Sequence, residues 1–331
     1  MRTISVCPAT LQPGYETYSP MALKMLFNGE KVSPILDFDF EGVNSSSDLQ
    51  ENQHNLSISG VQEKYSAVVE HGHIRLTHPG EQGTFILKPA PLIHIQTRKQ
   101  IPANEHLTMQ IASQVYGIET AANALCFSAK GQPVYITRRF DVKPDLTKCP
   151  IEDFASVLGK TEQGADSNFK YDGHYAMIAD AIRTVVPAWM VETERFFKLV
   201  LFNYLYANED AHLKNFSLIN RNGEYALAPA YDLLNTRLHL ESDDLGLKGG
   251  LAPDIEPSDA LLQTGHLCRT DFERFGQRIG LPAKRTERVL DLFMEFPPMV
   301  NDLIARSFLN DKMKRSYWRI INQRSQWFVR R

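Results

Sequence analysis

Asn208-Glu209-Asp210-Ala211-His212-Leu213-Lys214-Asn215-Phe216, followed shortly by Ala230-Tyr231-Asp232, is the stretch on which the reading of this chain turns. An aspartate stands five residues before an asparagine, and a second aspartate follows about one hairpin later. Phosphoryl transfer asks little covalent chemistry of a protein; it needs a hydroxyl placed in line with the γ-phosphorus and charge neutralised on the phosphate oxygens. Asp210 suits the first task. Asn215 and Asp232 suit the second, because magnesium takes hard oxygen ligands. This order of groups is the one kinases use. The plainer reading makes Asp210 and His212 caps of a helix end and Asp232 an ordinary turn aspartate.

The flanking sequence supports a built site. Glu194 to Tyr206 carries Phe196, Phe197, Leu199, Val200, Leu201, Phe202, Tyr204 and Leu205, apolar on nearly every face, so a buried central helix is expected over Val191 to Tyr206. The polar run at Asn208 ends it and leaves Asp210 on a loop. Phe216 to Ile219 and Glu224 to Ala228 flank Asn220-Arg221-Asn222-Gly223, a hairpin signal that returns Asp232 towards Asn215. Upstream, Thr84 to Lys88 reads as a short strand ending in the lysine a kinase needs for the α- and β-phosphates, unless that lysine merely protects a sheet edge. The loop Leu56 to Lys64 precedes it and leads into a strand at Tyr65 to Val69. Asn104 is expected to cap a helix over Glu105 to Tyr116 ending at Gly117, with Glu105 either pairing with Lys88 or serving the helix dipole.

Taken together, Ser57-Ile-Ser-Gly-Val-Gln-Glu-Lys64, Ile86-Leu-Lys88, Asn104-Glu105, Arg138-Arg-Phe-Asp141, Glu152-Asp-Phe154, Lys170-Tyr171, Asp210 to Phe216 and Tyr231-Asp232 resemble the HipA family. These are serine/threonine protein kinases acting as toxins of bacterial toxin-antitoxin systems. The resemblance spans roughly residues 1 to 310 and implies an α+β, bilobal protein-kinase-like fold. Its β-rich N-lobe would cover residues 1–142 and its mainly helical C-lobe residues 143–331. It implies that Asp210 is catalytic, that Asn215 and Asp232 bind Mg2+, and that Lys88 contacts ATP. Ser59, Gly60, Val61, Gln62, Glu63 and Lys64 match the phosphate loop. His212, Leu213, Lys214 and Tyr231 match further ATP contacts, and Arg138, Arg139 and Phe140 the interlobe hinge near adenine. Arg138 departs from the family, where that position is commonly acidic.

Ser57 matches a serine on which such kinases phosphorylate themselves, and Ser59 adds a second hydroxyl two residues on. A phosphoserine there would set about two negative charges beside the site for ATP's own phosphates. The plainer reading is that both serines cap a turn. Only Met1 to Glu51 precedes this loop, where full-length relatives carry an extra subdomain, so the chain resembles the short form, HipT. That likeness implies a small separate subunit in place of the subdomain and a helix-turn-helix antitoxin that links the complex to DNA. It also implies an aminoacyl-tRNA synthetase as substrate, tryptophanyl-tRNA synthetase in particular, with arrest of translation and growth.

Composition fits this without selecting it. The chain has 331 residues, 43% of them hydrophobic, enough for two cores, and a net charge of −3. After Asp311 seven basic residues and no acid are interleaved with Tyr317, Trp318, Trp327 and Phe328. This tail suits either a nucleic-acid track or, more simply, an amphipathic helix packed on the C-lobe. Cys7, Cys126, Cys149 and Cys268 show no metal or disulfide spacing, and no signal peptide or membrane span is evident, so a cytoplasmic protein is expected. Three other functions are open to the same residues. One is a metal-dependent hydrolase built on Asp210, His212 and Asp232 with His174 or His239; another is an inert partner in a DNA-bound repressor complex; the third is phosphorylation of a small molecule, since the same phosphate machinery serves many acceptors.

Overall fold

In the computed structural model, which describes residues 4–40, 62–92, 95–161, 167–241 and 243–329, the first half of the chain is built on a sheet. Helix α1 (Pro20–Phe27) is followed by strands β1 (Tyr65–Glu70), β2 (His73–Leu76) and β3 (Phe85–Lys88), helix α2 (Ile101–Gln114), and strands β4 (Asn123–Phe127) and β5 (Pro133–Arg138). All pairings are antiparallel, in the order β2-β1-β3-β5-β4. β3 is therefore central, and the edge-strand reading of Lys88 is excluded. Ala67, Phe85, Leu87, Val134 and Ile136 from the sheet pack with Leu26 and Phe27 of α1 in a core of their own.

The second half is mainly helical around a small sheet. Its elements are β6 (Ile151–Asp153), α3 (Phe154–Val157), α4 (Tyr175–Val185), α5 (Trp189–Leu205), β7 (Ser217–Arg221), β8 (Glu224–Leu227), α6 (Asp259–Thr264), α7 (Arg269–Arg278), α8 (Ala283–Asp291), α9 (Pro298–Arg306) and α10 (Asp311–Phe328). Strands β6, β7 and β8 pair antiparallel. α5 is the expected central helix, buried almost without a break from Phe196 to Leu205. Each large apolar side chain so placed contributes about 1.5–3 kcal/mol, which makes α5 the firm base from which the next loop springs. The hairpin follows the two-residue pattern: Arg221 pairs with Glu224, and both Asn222 (φ 57°) and Gly223 (φ 93°) take the left-handed conformation a primed turn demands.

Three local expectations change. Asn104 does not cap its helix, because Pro102 lies in the first turn and its fixed φ starts α2 at Ile101, with Gln100 as the cap. Asn104 Nδ2 instead donates to the Asn235 carbonyl at 2.8 Å. α2 also stops at Gln114, two residues before Tyr116, although Gly117 (φ 59°) does follow it. The basic segment after Asp311 is the amphipathic helix α10, with Met313, Tyr317, Ile321, Arg324 and Phe328 buried along one side. All four cysteines are free and buried. Among the described residues no helix is long and apolar enough to cross a membrane.

Candidate active site

The end of β3 delivers Lys88 into the space between the sheet and the helical half. Its ammonium is 2.7 Å from Glu105 Oε1 on α2 and also hydrogen-bonds to Asp232 Oδ1. Burial alone would lower the pKa of Lys88, but the charges of Asp232 and Glu105 outweigh it and the group is held protonated. Lys64 Nζ lies 3.5 Å from the other oxygen of Asp232. Asp232 sits at φ 56°, a left-handed region that few residues other than glycine occupy and that aspartate enters more readily than most. Asn208 Nδ2 donates to the Asp232 carbonyl at 3.4 Å.

The loop after α5 is fixed from several sides. Ala207 turns the chain with φ 51°. Asn208 Nδ2 donates to Asn203 Oδ1 at 3.0 Å and the Glu209 amide to Thr236 Oγ1 at 2.9 Å. A single 3-10 turn, Leu213–Asn215, is closed by the His212 amide donating to Asn215 Oδ1 at 3.1 Å. Tyr175 donates its hydroxyl proton to the Ala211 carbonyl at 2.8 Å. Gly246 lies so near that a Cβ there would stand 2.7 Å from the Ala211 backbone nitrogen, a contact only glycine avoids. The Asp210 carboxylate accepts a hydrogen bond from Tyr171 at 2.7 Å. His212 meets the Tyr171 ring edge-on at 5.1 Å, and burial pushes its pKa down to about 4, so it is neutral at physiological pH.

Gln62, Lys88, Glu105, Asn208, Asp210, Asn215, Asp232, Leu234 and Thr236 thus line one cleft. The sequence-designated Lys88, Asp210, Asn215 and Asp232 are brought together, and Glu105 takes the pairing role rather than the dipole role. Asn215 Oδ1 spends one lone pair on the His212 amide and has a second to offer, so it and the Asp232 carboxylate suit a hard divalent cation. Two lysines beside Asp232 suit a phosphate chain.

The other designated residues, Gln62 of the cleft lining among them, make contacts of their own. Tyr231 donates to the Lys214 carbonyl at 2.9 Å and stacks on Phe140 at 5.9 Å. Lys214 Nζ is 3.7 Å from Asp153, while Leu213 is buried in the main core. Gln62 donates to the Pro89 carbonyl at 2.9 Å, and Glu63 accepts from Tyr65. The expected hinge arginines do not reach the cleft with their side chains: Arg138 donates to Asn28 Oδ1 at 2.8 Å on the α1 side, and Arg139 pairs with Asp141 at 2.6 Å. Ser57, Ser59, Gly60 and Val61 lie outside the described residues. Sequence reasoning assigned no role to Asn208, Leu234 or Thr236, and none to Tyr171 as the partner of Asp210. Thr236 and Leu234 could have been suspected from their nearness to Asp232 in sequence; Tyr171 had only the flagged Lys170-Tyr171 pair.

A sheet-rich half and a helical half joined across such a cleft form a kinase-like fold, and solved structures agree. A chain of the Shewanella oneidensis MR-1 toxin-antitoxin complex of HipA, HipB and operator DNA is similar with a TM-score of 0.67 and 18% identity, over 86% of this chain and 67% of that one. The Helicobacter pylori proinflammatory kinase CtkA is similar with a TM-score of 0.50 and 15% identity, over 80% of this chain and 90% of that one. The family model of the HipA-like C-terminal domain matches residues 56–297, and the chain belongs to that family. A putative kinase of Haemophilus influenzae is 28% identical over 308 residues, 88% of this chain and 87% of the relative. The putative kinase Y4dM of Sinorhizobium fredii is 32% identical over 213 residues, 58% of this chain and 48% of the relative, so the chain spans about half of Y4dM.

Proposed function

We propose that this chain is an ATP- and magnesium-dependent serine/threonine protein kinase and the toxin of a bacterial toxin-antitoxin system. The observation that carries the reading is the convergence of the Lys88–Glu105 pair, Asp232, Asn215 and Asp210 on one cleft. Family membership and relatives named putative kinases support it. In this reading residues 1–142 form the lobe that covers the nucleotide and residues 143–331 the lobe that carries the catalytic loop.

Lys88 exchanges part of its contact with Asp232 for the α- and β-phosphate oxygens. Asn215 Oδ1 and the Asp232 carboxylate would hold magnesium, which when bound neutralises charge on the phosphate oxygens. Asp210 orients the acceptor hydroxyl and takes its proton as the hydroxyl oxygen bonds to the γ-phosphorus and the bond from that phosphorus to ADP breaks. Tyr171 keeps the Asp210 carboxylate turned to the cleft. Tyr231 and Phe140 border the adenine side, with backbone groups at 138–140 rather than the guanidinium groups of Arg138 and Arg139 as the contacts.

The finer reading follows the family. The substrate is an aminoacyl-tRNA synthetase, with tryptophanyl-tRNA synthetase favoured, and phosphate placed on Ser57 or Ser59 turns the kinase off. Its partners are a helix-turn-helix antitoxin and a small subunit; the HipA complex of S. oneidensis includes HipB and operator DNA. The hydrolase alternative is disfavoured because, among the described residues, no three His, Cys, Asp or Glu side chains come together as a ligand group, and both ring nitrogens of His239 are engaged, by Thr97 at 2.7 Å and Asn104 at 2.9 Å. Incubation with magnesium-ATP and a bacterial extract, beside Asp210→Asn, tests the proposal by phosphopeptide mass spectrometry. Phosphate on a synthetase and on Ser57 or Ser59 with the wild type alone is the expected result; identical phosphoproteins from both would overturn it.

A further inference from the structure

Helix α10 lies beyond the residues the family model matches, and its buried side contains one residue that an apolar stripe does not call for. Arg324 is 1% exposed and falls among Met313, Tyr317, Ile321 and Phe328. Its Nη2 hydrogen-bonds to Glu209 Oε1, and its Nη1 lies 2.7 Å from Asp244 Oδ1. The second contact is an ion pair without hydrogen-bond alignment, for Nε and Nη1 find no hydrogen-bond acceptor among the described residues. The guanidinium lies over the rings of Tyr204, at 5.0 Å, and Trp327, at 5.2 Å. Glu209, whose side chain is fully buried, takes a second guanidinium from Arg237 at 3.0 Å.

A buried ion pair is a poor device for stability alone, since apolar residues of similar volume often serve as well or better. What an arginine can do there that a leucine cannot is to hold one atom, Glu209 Oε1, in a fixed place from a planar guanidinium that the Tyr204 and Trp327 rings keep oriented. Glu209 is the peptide neighbour of Asp210, so its placement sets the direction from which the Asp210 side chain leaves the backbone. The same helix reaches the other half of the cleft, where the hydroxyls of Tyr317 and Thr108 of α2 are 2.9 Å apart, one turn along from Glu105.

We infer that Arg324 is a positioning residue for phosphoryl transfer, acting through Glu209 on the orientation of Asp210. This rests on the reading of Asp210 as the group that orients the acceptor hydroxyl. A misplacement of about 1 Å costs on the order of 10²-fold in rate, so loss of this anchor acts on turnover far more than on nucleotide binding.

The test uses the full chain with magnesium-ATP, comparing Arg324→Met, Arg324→Lys and, as a control on the exposed side of the same helix, Arg319→Met. Three readouts are taken: ATP turnover that depends on Asp210, the Kd for magnesium-ATP, and hydrogen exchange of the amides of residues 207–213. Arg324→Met is expected to lower turnover by roughly 10- to 100-fold, with the Kd changed by less than about threefold and faster exchange at 207–213. Arg324→Lys, which keeps the charge and loses the fork, is expected to recover part of the rate, and it supplies the comparison if the methionine variant does not fold. Arg319→Met is expected to match the wild type. Wild-type turnover in folded Arg324→Met, or unchanged exchange at 207–213, would overturn the inference. If Asp210→Asn turns over ATP as the wild type does, the kinase reading falls by itself, and the exchange measurement still decides whether Arg324 holds the loop.

Discussion

Two buried charge clusters flank the same cleft and are built from different cations. On the β3 side a lysine, Lys88, is shared between Glu105 and Asp232, and Asp232 keeps 13% of its side chain exposed. On the loop side an arginine, Arg324, is shared between Glu209 and Asp244, while the Glu209 side chain has no exposure. An ammonium is a compact charge on a flexible stem and can change partners; a guanidinium fork fixes geometry. The lysine cluster is thus suited to hand part of its charge to an incoming phosphate chain, and the arginine cluster to stay as it is.

The sharpest way to break that contrast is at the chemistry itself. Asp210→Asn should lower phosphate transfer by about 10²–10⁴-fold while leaving the thermal midpoint and nucleotide affinity near wild type, because it removes a base and no packing. A transfer assay beside a nucleotide titration and a melting curve checks all three.

Lys88→Met should separate stability from activity. It leaves Glu105 and Asp232 close together without their cation, so a loss of about 3–5 kcal/mol in urea unfolding is expected together with loss of transfer. Adding Glu105→Gln should restore much of the stability and none of the transfer. Recovery of activity in the double variant would show that Lys88 serves the fold alone.

Gly246→Ala probes the loop side by steric means. The added Cβ meets the backbone of Ala211 at 2.7 Å, which no side-chain rotation can relieve. A stability cost of about 1–3 kcal/mol is expected. Turnover should fall with it and the Kd for magnesium-ATP should hold.

The most gradual expected effect is on pH dependence. Burial pushes both His106, beside Glu105, and His212, in the catalytic loop, down to about 4, from an unfolded value of about 6.5. Between those values the unfolded chain binds more protons than the folded one, so stability rises with pH there. The contribution is complete above about pH 6.5 and is lost as pH falls through about 4, on the order of 3 kcal/mol at most for each histidine. Urea midpoints from pH 7 to 4 should decline, and His106→Gln should flatten the decline by one proton.

Much of the site was legible because its chemistry is local. Asp210, Asn215 and Asp232 are joined by a hairpin whose turn residues announce themselves, and α5 is a run of apolar residues with no polar face to mislead. Lys88 and Glu105 could be paired as a possibility by their place on a strand and a helix. What was misread involves competition between local signals: Pro102 outranked Asn104 as the helix start. What was missed depends on long-range contact. Glu209 and Arg324 are 115 residues apart, and no periodicity links them. A trace was present all the same, since Arg324 falls in register with Met313, Tyr317, Ile321 and Phe328, where a charge has to have a buried partner.

The central claim is that this cleft transfers the γ-phosphate of ATP to a protein hydroxyl through Asp210. Single-turnover transfer of labelled γ-phosphate, run on wild type and Asp210→Asn at magnesium-ATP concentrations that saturate both, measures it most directly. Label on protein with the wild type and none with the variant is the predicted result; equal labelling of protein by both, or label released only as inorganic phosphate, would contradict it.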